Sequence, residues 1–370
     1  MFVTIVGKPE RFDERDCVFS RHDLKAGTEE YSDFYQRHPE WKEADDDIRA
    51  RLKLGLYASD ADKALLYAPD WLARNLGRPE MVDGSPASRT VDISPERAVR
   101  KIKALAKNLG ADLVGISRLN PAYIYSHRGR MNNPEEEWGS PIVLKHQFAI
   151  SLGFRQNIEM IRTAPGIPEM SETLRVYAFS AHVAVILAAY MRMLGYRARA
   201  HHFRNYQVLP VPLAVEAGLG ELGRCGFLLT REYGNCLRLA TVTTDLPLIC
   251  DTPVDIGVHD FCTMCKLCAE ACPSGSIPTG GKIRSRGADK WQIDELKCYR
   301  YWSKVGTDCG ICIASCPWSQ PDNWMHITAA RLATQSHFAR VILLWLHPLI
   351  YGRYKPREKP EWFDERARGK

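Results

Sequence analysis

Twelve of the 370 residues are cysteine, and eight of them fall between Cys262 and Cys316. The first four, Cys262-x2-Cys265-x2-Cys268-x3-Cys272-Pro273, have a spacing at which a tight loop presents three thiolates to one [4Fe-4S] cubane. The fourth cysteine of such a run reaches a second cluster. A looser copy follows as Cys298-x10-Cys309-x2-Cys312-x3-Cys316-Pro317. The expected ligand sets are therefore crossed: Cys262, Cys265, Cys268 and Cys316 for one cluster, Cys298, Cys309, Cys312 and Cys272 for the other. Zinc is the plainer alternative, but two full sets that each end in Cys-Pro argue against it. Cys17, Cys225, Cys236 and Cys250 have no ligand spacing and read as packing residues. Two clusters make an electron wire, so the acceptor at its end must lie upstream.

Three upstream features carry chemistry. Gly218-Leu219-Gly220-Glu-Leu-Gly223 matches GxGxxG, but a dinucleotide turn opens a helix and Phe227-Leu-Leu-Thr reads as strand. The turn suits instead a backbone that approaches a large flat cofactor, which makes Gly218, Leu219 and Gly220 candidate binding residues; a turn without ligand is the plainer alternative. Thr173 and Tyr177 stand at i and i+4 and share a helix face. A tyrosine among Val176, Ala178 and Phe179 is ordinarily a core residue with a satisfied hydroxyl. A cation beside it, for which Arg224 is the candidate, would stabilise the phenolate and make it a usable acid. Adjacent His201 and His202 cannot easily point at one metal and read as loop polarity.

The elements that must position these residues follow from periodicity. A helix capped by Ser94, with Pro95 in its first turn, runs through Ala98, Ile102, Leu105 and Leu109 to Gly110. Strands are expected at Asp112 to Ile116, Gln147 to Phe154, Phe227 to Thr230 and Arg238 to Thr243, and a buried helix from about Ser171 to Leu194. The expected organisation is an irregular N-terminal segment with short helices over 1–94, an α+β core over 95–255, the cysteine module over 256–322 and a helical tail over 323–370. Hydrophobic residues at 45% and charged residues at 25% exclude disordered and fibrous classes. No apolar run reaches the ~20 residues of a membrane span. A net charge of +6 is too dilute to imply nucleic acid. The last 20 residues hold seven basic and four acidic groups after an amphipathic stretch, so peripheral contact of this tail with an anionic membrane is an expectation, beside the plainer one of a solvated terminus. The opening MFVTIVGKPERFDERD lacks a charged-then-apolar leader pattern and the sequence has no twin-arginine pair, so a reduced, cytoplasmic, metal-binding chain is expected.

The stretches VPLAVEAGLGELGRCGFLLTREYGNCLRLATVTTDLPL, DFCTMCKLCAEACPSGSI and WQIDELKCYRYWSKVGTDCGICIASCPWS resemble the reductive dehalogenases, as does the earlier RFDERDCVFSRHDLKAGTEEYSDFY. The resemblance implies a nitroreductase-like α+β core that binds a base-off cobalamin, fed by a bacterial-ferredoxin-like double [4Fe-4S] module. It implies replacement of a carbon–halogen bond of a small organohalide by carbon–hydrogen. It assigns Tyr177 as proton donor and Arg224 as the basic residue beside it. Thr173, Phe19, Ser20 and Trp291 become pocket-wall candidates. No DxHxxG motif offers a lower cobalt ligand, so the corrinoid would be held at its periphery by the glycine turn and the polar loop around Asn205. Respiratory members carry a twin-arginine leader, so this sequence is expected either to act in the cytoplasm or to be a processed form. An external electron donor (ferredoxin, flavodoxin or a reductase) is expected.

Two other readings were weighed. An epoxyqueuosine reductase shares the corrinoid core and double cluster but acts on tRNA; it would carry an aspartate donor where this chain reads LRVYAFS, and lysine in the glycine turn where it reads GELGRCG. A ferredoxin-like electron carrier without catalysis would need only the cysteine module and not the large apolar-rich core upstream.

Overall fold

The computed structural model describes residues 4–5, 10–130, 137–321 and 323–363. The N-terminal segment is more regular than expected. After the short strand β1 (Thr4–Ile5) come α1 (Val18–Asp23), α2 (Glu29–Arg37), α3 (Pro39–Arg51), α4 (Asp60–Leu76) and α5 (Pro79–Val82). The 17-residue α4 starts where the Ser59 hydroxyl accepts the Asp62 amide, with Asp60 and Asp62 against the positive end of the helix. Its buried Leu66 and Ala73 set it along the core. Scattered aromatics among charges concealed this, because short helices that bury only a residue or two leave little periodicity.

The core begins with α6 (Pro95–Asn108), capped by Ser94 as expected. Its sheet has four antiparallel strands in the order β2 (Leu113–Arg118), β3 (Phe148–Arg155), β7 (Leu237–Thr244), β4 (Ala198–His201). The row Ile116, Ile150, Val242, Ala200 faces the main apolar core. There it meets α8 (Ile167–Met193), which follows the single-turn α7 (Ile158–Ile161). By length and composition α8 could cross a membrane, but Val176, Val183, Leu187 and Met191 are buried against the sheet. It begins four residues before the expected start because Gly166 and Pro168 form its first turn, where the missing proline N–H costs nothing.

The opposite sheet face carries the row Gly115, Ser151, Thr241, His201 and is covered by α9 (Pro210–Glu216), read from sequence only as an apolar segment. The glycine turn then makes a hairpin, β5 (Glu221–Leu222) with β6 (Leu228–Leu229), and no dinucleotide-binding helix. The cysteine module contains α10 (Val258–Met264), α11 (Leu267–Glu270), a hairpin of β8 (Ile283–Ser285) and β9 (Ala288–Lys290), α12 (Glu295–Val305) and α13 (Ile311–Ala314). Two longer helices, α14 (Trp324–Gln335) and α15 (His337–Tyr351), follow it.

His201 and His202 are not loop polarity. Both are 2% exposed. His201 Nε2 meets Thr243 Oγ1 at 2.8 Å and its Nδ1 accepts the Gln207 amide at 3.1 Å. His202 Nε2 donates to the Leu76 carbonyl at 3.1 Å, fastening the end of α4 to β4. Burial pulls His202 down to about 4 and His201 well below its ordinary value. An unfolded chain takes up protons below about pH 6.5 that the folded one refuses, so this contribution is complete above that pH and is lost as pH falls toward 4. His202→Gln should therefore lose less stability than the parent between pH 7.5 and 5.0, by about 2 kcal/mol in urea titrations. Equal losses in both proteins would show that His202 is not the linked group.

Candidate functional site

The cysteine module brings its thiols together in two groups. Cys262, Cys265, Cys268 and Cys316 line one cavity, so the crossed set expected from spacing is the one gathered in space. Burial raises Cys312, as would charge on Cys225, Cys309, Cys298 or Cys272, so the thiols of the second expected set lie near one another and within reach of Cys225. Burial pushes Cys262 and Cys309 up to about 12 and Cys265 and Cys298 up to about 11. Buried thiols of this kind give up protons to iron rather than to water. Among the described residues no three His, Cys, Asp or Glu side chains converge as ligands of one ion. Cys309 takes a left-handed φ of 72°, the turn that delivers it and Cys312 to one centre.

The glycine motif fastens this module to the core. Glu221 Oε2 accepts the amides of Ile256 and Val258 at 2.8 and 3.0 Å, holding the start of α10. Arg224 holds its end: Nε and Nη2 donate to the Cys262 carbonyl at 3.0 and 2.9 Å, and Nη1 to the carbonyls of Pro278 and Gly280 at 2.7 and 2.8 Å. The guanidinium also lies 4.7 Å from the Trp291 ring centroid. Arg224 is thus turned to the first cluster loop and does not stand beside Tyr177. Trp291, 4% exposed, packs in the module's own core and not in a pocket wall near Tyr177. The glycines serve the protein's own packing. A Cβ on Gly220 would meet the Leu229 carbonyl oxygen at 2.0 Å, and one on left-handed Gly218 the Thr252 oxygen at 2.4 Å. Leu219 packs in a small cluster with Ala214, Leu228 and Leu237.

The cation beside Tyr177 is Arg238, at the start of β7. Its guanidinium carbon is 5.3 Å from the Tyr177 ring centroid. Arg238 Nη2 donates to Thr173 Oγ1 at 2.9 Å, as does Gln156 Nε2 at 3.0 Å, and the Thr173 hydroxyl donates to Glu169 at 3.2 Å. Thr173 therefore positions Arg238 in addition to sharing the Tyr177 face. Asp308, next to the cluster ligand Cys309, lies 3.8 Å from Arg238. Burial, with Asp308 alongside, holds Glu169 well above the carboxylate range. On the other side Phe203 stacks on Tyr177, centroids 4.3 Å apart and planes 12° apart. Arg130 donates to the Phe203 carbonyl at 3.0 Å and spans the rings of Phe19 and Tyr206, at 5.2 and 4.6 Å. Phe19 thus reaches the Tyr177 surroundings through Arg130, while Ser20 is buried with its hydroxyl unpartnered. Asn205 has a structural use: its Oδ1 accepts Arg199 at 2.7 Å and its Nδ2 donates to the Gly77 carbonyl at 2.9 Å. Part of the loop Tyr123 to Glu137, expected to shape the pocket, lies outside the described residues. Arg238 and Phe203 were missed, although a charged residue opening the otherwise uncharged strand LRLATVTT was a visible signal.

Residues 261–320 match the family described as 4Fe-4S dicluster domain. The chain is 33% identical over 286 residues to the tetrachloroethene reductive dehalogenase of Dehalobacter restrictus, spanning 65% of this chain and 51% of that one. It superposes on the catabolic reductive dehalogenase NpRdhA, solved with 3-bromo-4-hydroxybenzoic acid, with a TM-score of 0.78 and 27% identity, over 95% of this chain and 48% of that one. The chain is similar to reductive dehalogenases. A further structure, described as suggesting a mechanism for B12-dependent dehalogenation, superposes equally well, with a TM-score of 0.78, 27% identity, and coverage of 95% of this chain and 48% of that one. The chain spans about half the length of the curated dehalogenase it matches.

For a corrinoid in this chain the surroundings of Tyr177 offer a fit. Gln156 Oε1 and Arg238 Nε are buried there with no hydrogen-bond partner. A group rimmed with amides would satisfy them, where an apolar ligand would leave them unpaired. The crossed clusters predict a pairing in double variants. Cys262→Ala with Cys316→Ala should cost one cluster, about four of eight irons. Cys316→Ala with Cys309→Ala should damage both. Anaerobic iron and sulfide assays with EPR read the difference, and loss of both clusters in the first pair would refute the crossed sets.

Proposed function

We propose that this chain is a reductive dehalogenase that replaces the carbon–halogen bond of a small organohalide by carbon–hydrogen. The overall change consumes two electrons and one proton and releases halide. A nitroreductase-like core is the inferred seat of a base-off cobalamin, with an external low-potential donor (ferredoxin, flavodoxin or a reductase) loading the clusters. When bound, the cobalamin supplies a low-potential cobalt that passes electrons to the carbon–halogen bond. The chain's own residues handle the proton. The carrying observation is Tyr177 held between the Phe203 ring and the Arg238 guanidinium. Tyr177 Oη carries the proton to the carbon that has lost halide. Arg238 pairs the phenolate left behind, and Thr173, itself held by Gln156, fixes its guanidinium. The Phe203 stack fixes the plane of the phenol and keeps water from that face.

The arrangement predicts which arginine matters. Tyr177→Phe should keep clusters and corrinoid but lose roughly 10²–10⁴-fold in halide release, the usual worth of a general acid. Arg238→Leu should lose a similar amount, and the double variant little more, because the pair acts as a unit. Arg224→Leu should instead lower iron content. Halide release from a panel of organohalides, normalised to cobalamin and iron, gives the answer; near-parental turnover in Tyr177→Phe would sink the assignment.

We also infer a peripheral membrane contact. Phe338, Val341, Ile342, Trp345 and Leu349 recur at helical spacing along α15 and are all exposed, with Trp345 and Leu349 each 67% accessible. The charged Arg340 is turned inward to Asp260 at 2.6 Å. Residues 324–357 hold Arg331, Arg340, Arg353, Lys355 and Arg357 and no acidic residue. Arg340 pairs with Asp260 and Arg357 with Glu159, which leaves Arg331, Arg353 and Lys355 beside the apolar stripe, an arrangement that suits an anionic lipid surface. Fifteen residues at ~1.5 Å each are too short to cross the ~30 Å hydrocarbon layer, so the helix lies on the surface. Flotation with phosphatidylglycerol vesicles should carry the protein, and Trp345→Ser with Leu349→Ser should weaken it several-fold. Equal binding to phosphatidylcholine vesicles, or a dimer broken by the same substitutions, would overturn the lipid reading.

A further inference from the structure

Cys225 belongs to neither ligand set by spacing. It follows Arg224 in the motif turn and is 4% exposed. Its side chain nevertheless lines the cavity of Cys262, Cys265, Cys268 and Cys316, so its sulfur and that of Cys268 face one space. The position is built. Asn235 Nδ2 donates to Cys225 Sγ at 3.3 Å, Ser319 Oγ donates to Asn235 Oδ1 at 2.5 Å, and the Asn235 amide donates to Ser319 Oγ at 3.2 Å. Ser319 comes three residues after Cys316, so this bridge joins Cys225 to the loop that supplies the fourth ligand. Cys236 behaves differently: it is buried in another apolar cluster and its thiol is spent on the Gln156 carbonyl at 3.6 Å.

We propose that Cys225 is a fifth thiol of the first cluster, donating its S–H to the Cys268 thiolate and able to replace that thiolate as a ligand. The inference rests on the cluster assignment and not on dehalogenation. Cys268 bound to iron has no proton, so a hydrogen bond between the two sulfurs must take its hydrogen from Cys225. Such a bond stabilises the more negative, reduced cluster and raises its potential. Replacement exchanges one iron–thiolate bond for another: the Cys225 proton passes to the departing Cys268 sulfur, and the electron count of the cluster is unchanged. The backbone need move little, because both sulfurs already face one cavity.

The test uses the full chain reconstituted anaerobically with iron and sulfide, the parent serving as the eight-iron reference. Cys268→Ala should retain the parental iron content, and Cys268→Ala with Cys225→Ala should retain about half. Cys225→Ala alone should keep its iron while one of the two clusters, followed by EPR in a redox titration, becomes harder to reduce. A Cys268→Ala protein that loses as much iron as the double variant overturns the proposal. Should Cys268→Ala not fold, the titration of Cys225→Ala decides: a lowered potential at one cluster supports the fifth thiol, and two unchanged potentials refute it. Iron content and potential do not depend on turnover, so a failed dehalogenation assay leaves this result intact.

Discussion

The grip of Glu221 and Arg224 on α10 is the interaction on which the rest of the structure depends. The first cluster draws its ligands from two loops some fifty residues apart, so the loops must be held in register before iron can join them. Arg224 supplies four charge-assisted bonds to three backbone carbonyls, one of them that of Cys262 itself. Glu221 takes the two amides that open the same helix. Each bond to a charged group is worth about 1.5–3 kcal/mol. Because the donors are buried, losing the acceptors would leave an unpaired guanidinium at still greater cost. The glycines around them are obligatory for the same reason: the turn lies so close to Leu229 and Thr252 that no Cβ fits.

A second constraint joins the proton site to the second cluster. Arg238 touches Tyr177 on α8, takes Thr173 as its hydrogen-bond partner and faces Asp308, the neighbour of Cys309. Glu169, a turn before Thr173, presses on Gly310, where a Cβ would meet its carboxylate at 2.4 Å. One buried polar network therefore spans core helix, core strand and cluster loop. In such a low-dielectric setting each partner is held hard, because an unsatisfied charge is costly. Tyr177 and the cysteine module are fixed relative to one another by the same few side chains.

The N-terminal helices complete the enclosure. α1 brings Phe19 under Arg130 and against Tyr299 and Trp302, and α4 is tied to the sheet by His202 and by Asn205, whose amide closes on Gly77. Asn205, expected to hold a cofactor, instead ties its loop to Arg199 and to the end of α4. At the other end, α15 turns its charge inward to Asp260 and its apolar stripe outward, the reverse of an ordinary surface helix.

By itself the sequence determined the iron–sulfur character of the cysteine module and the main elements of the core. Those properties are local: cysteine spacing, the Ser94–Pro95 helix start and apolar runs are written within a few residues of where they act. Tyr177 and Thr173 were legible for the same reason, since a helix places i and i+4 together wherever it lies. Which arginine faces Tyr177 was not legible. Arg224 and Arg238 are fourteen residues apart in sequence, and the choice depends on the β5–β6 hairpin, which sends one to the module and leaves the other on the central sheet. Trp291, Asn205 and the glycine turn were misplaced by the same ambiguity, since a residue type suited to bind a cofactor is equally suited to bind backbone. Only the tertiary structure decided between them, because a buried donor takes whichever acceptor the packing of distant segments brings within 3 Å.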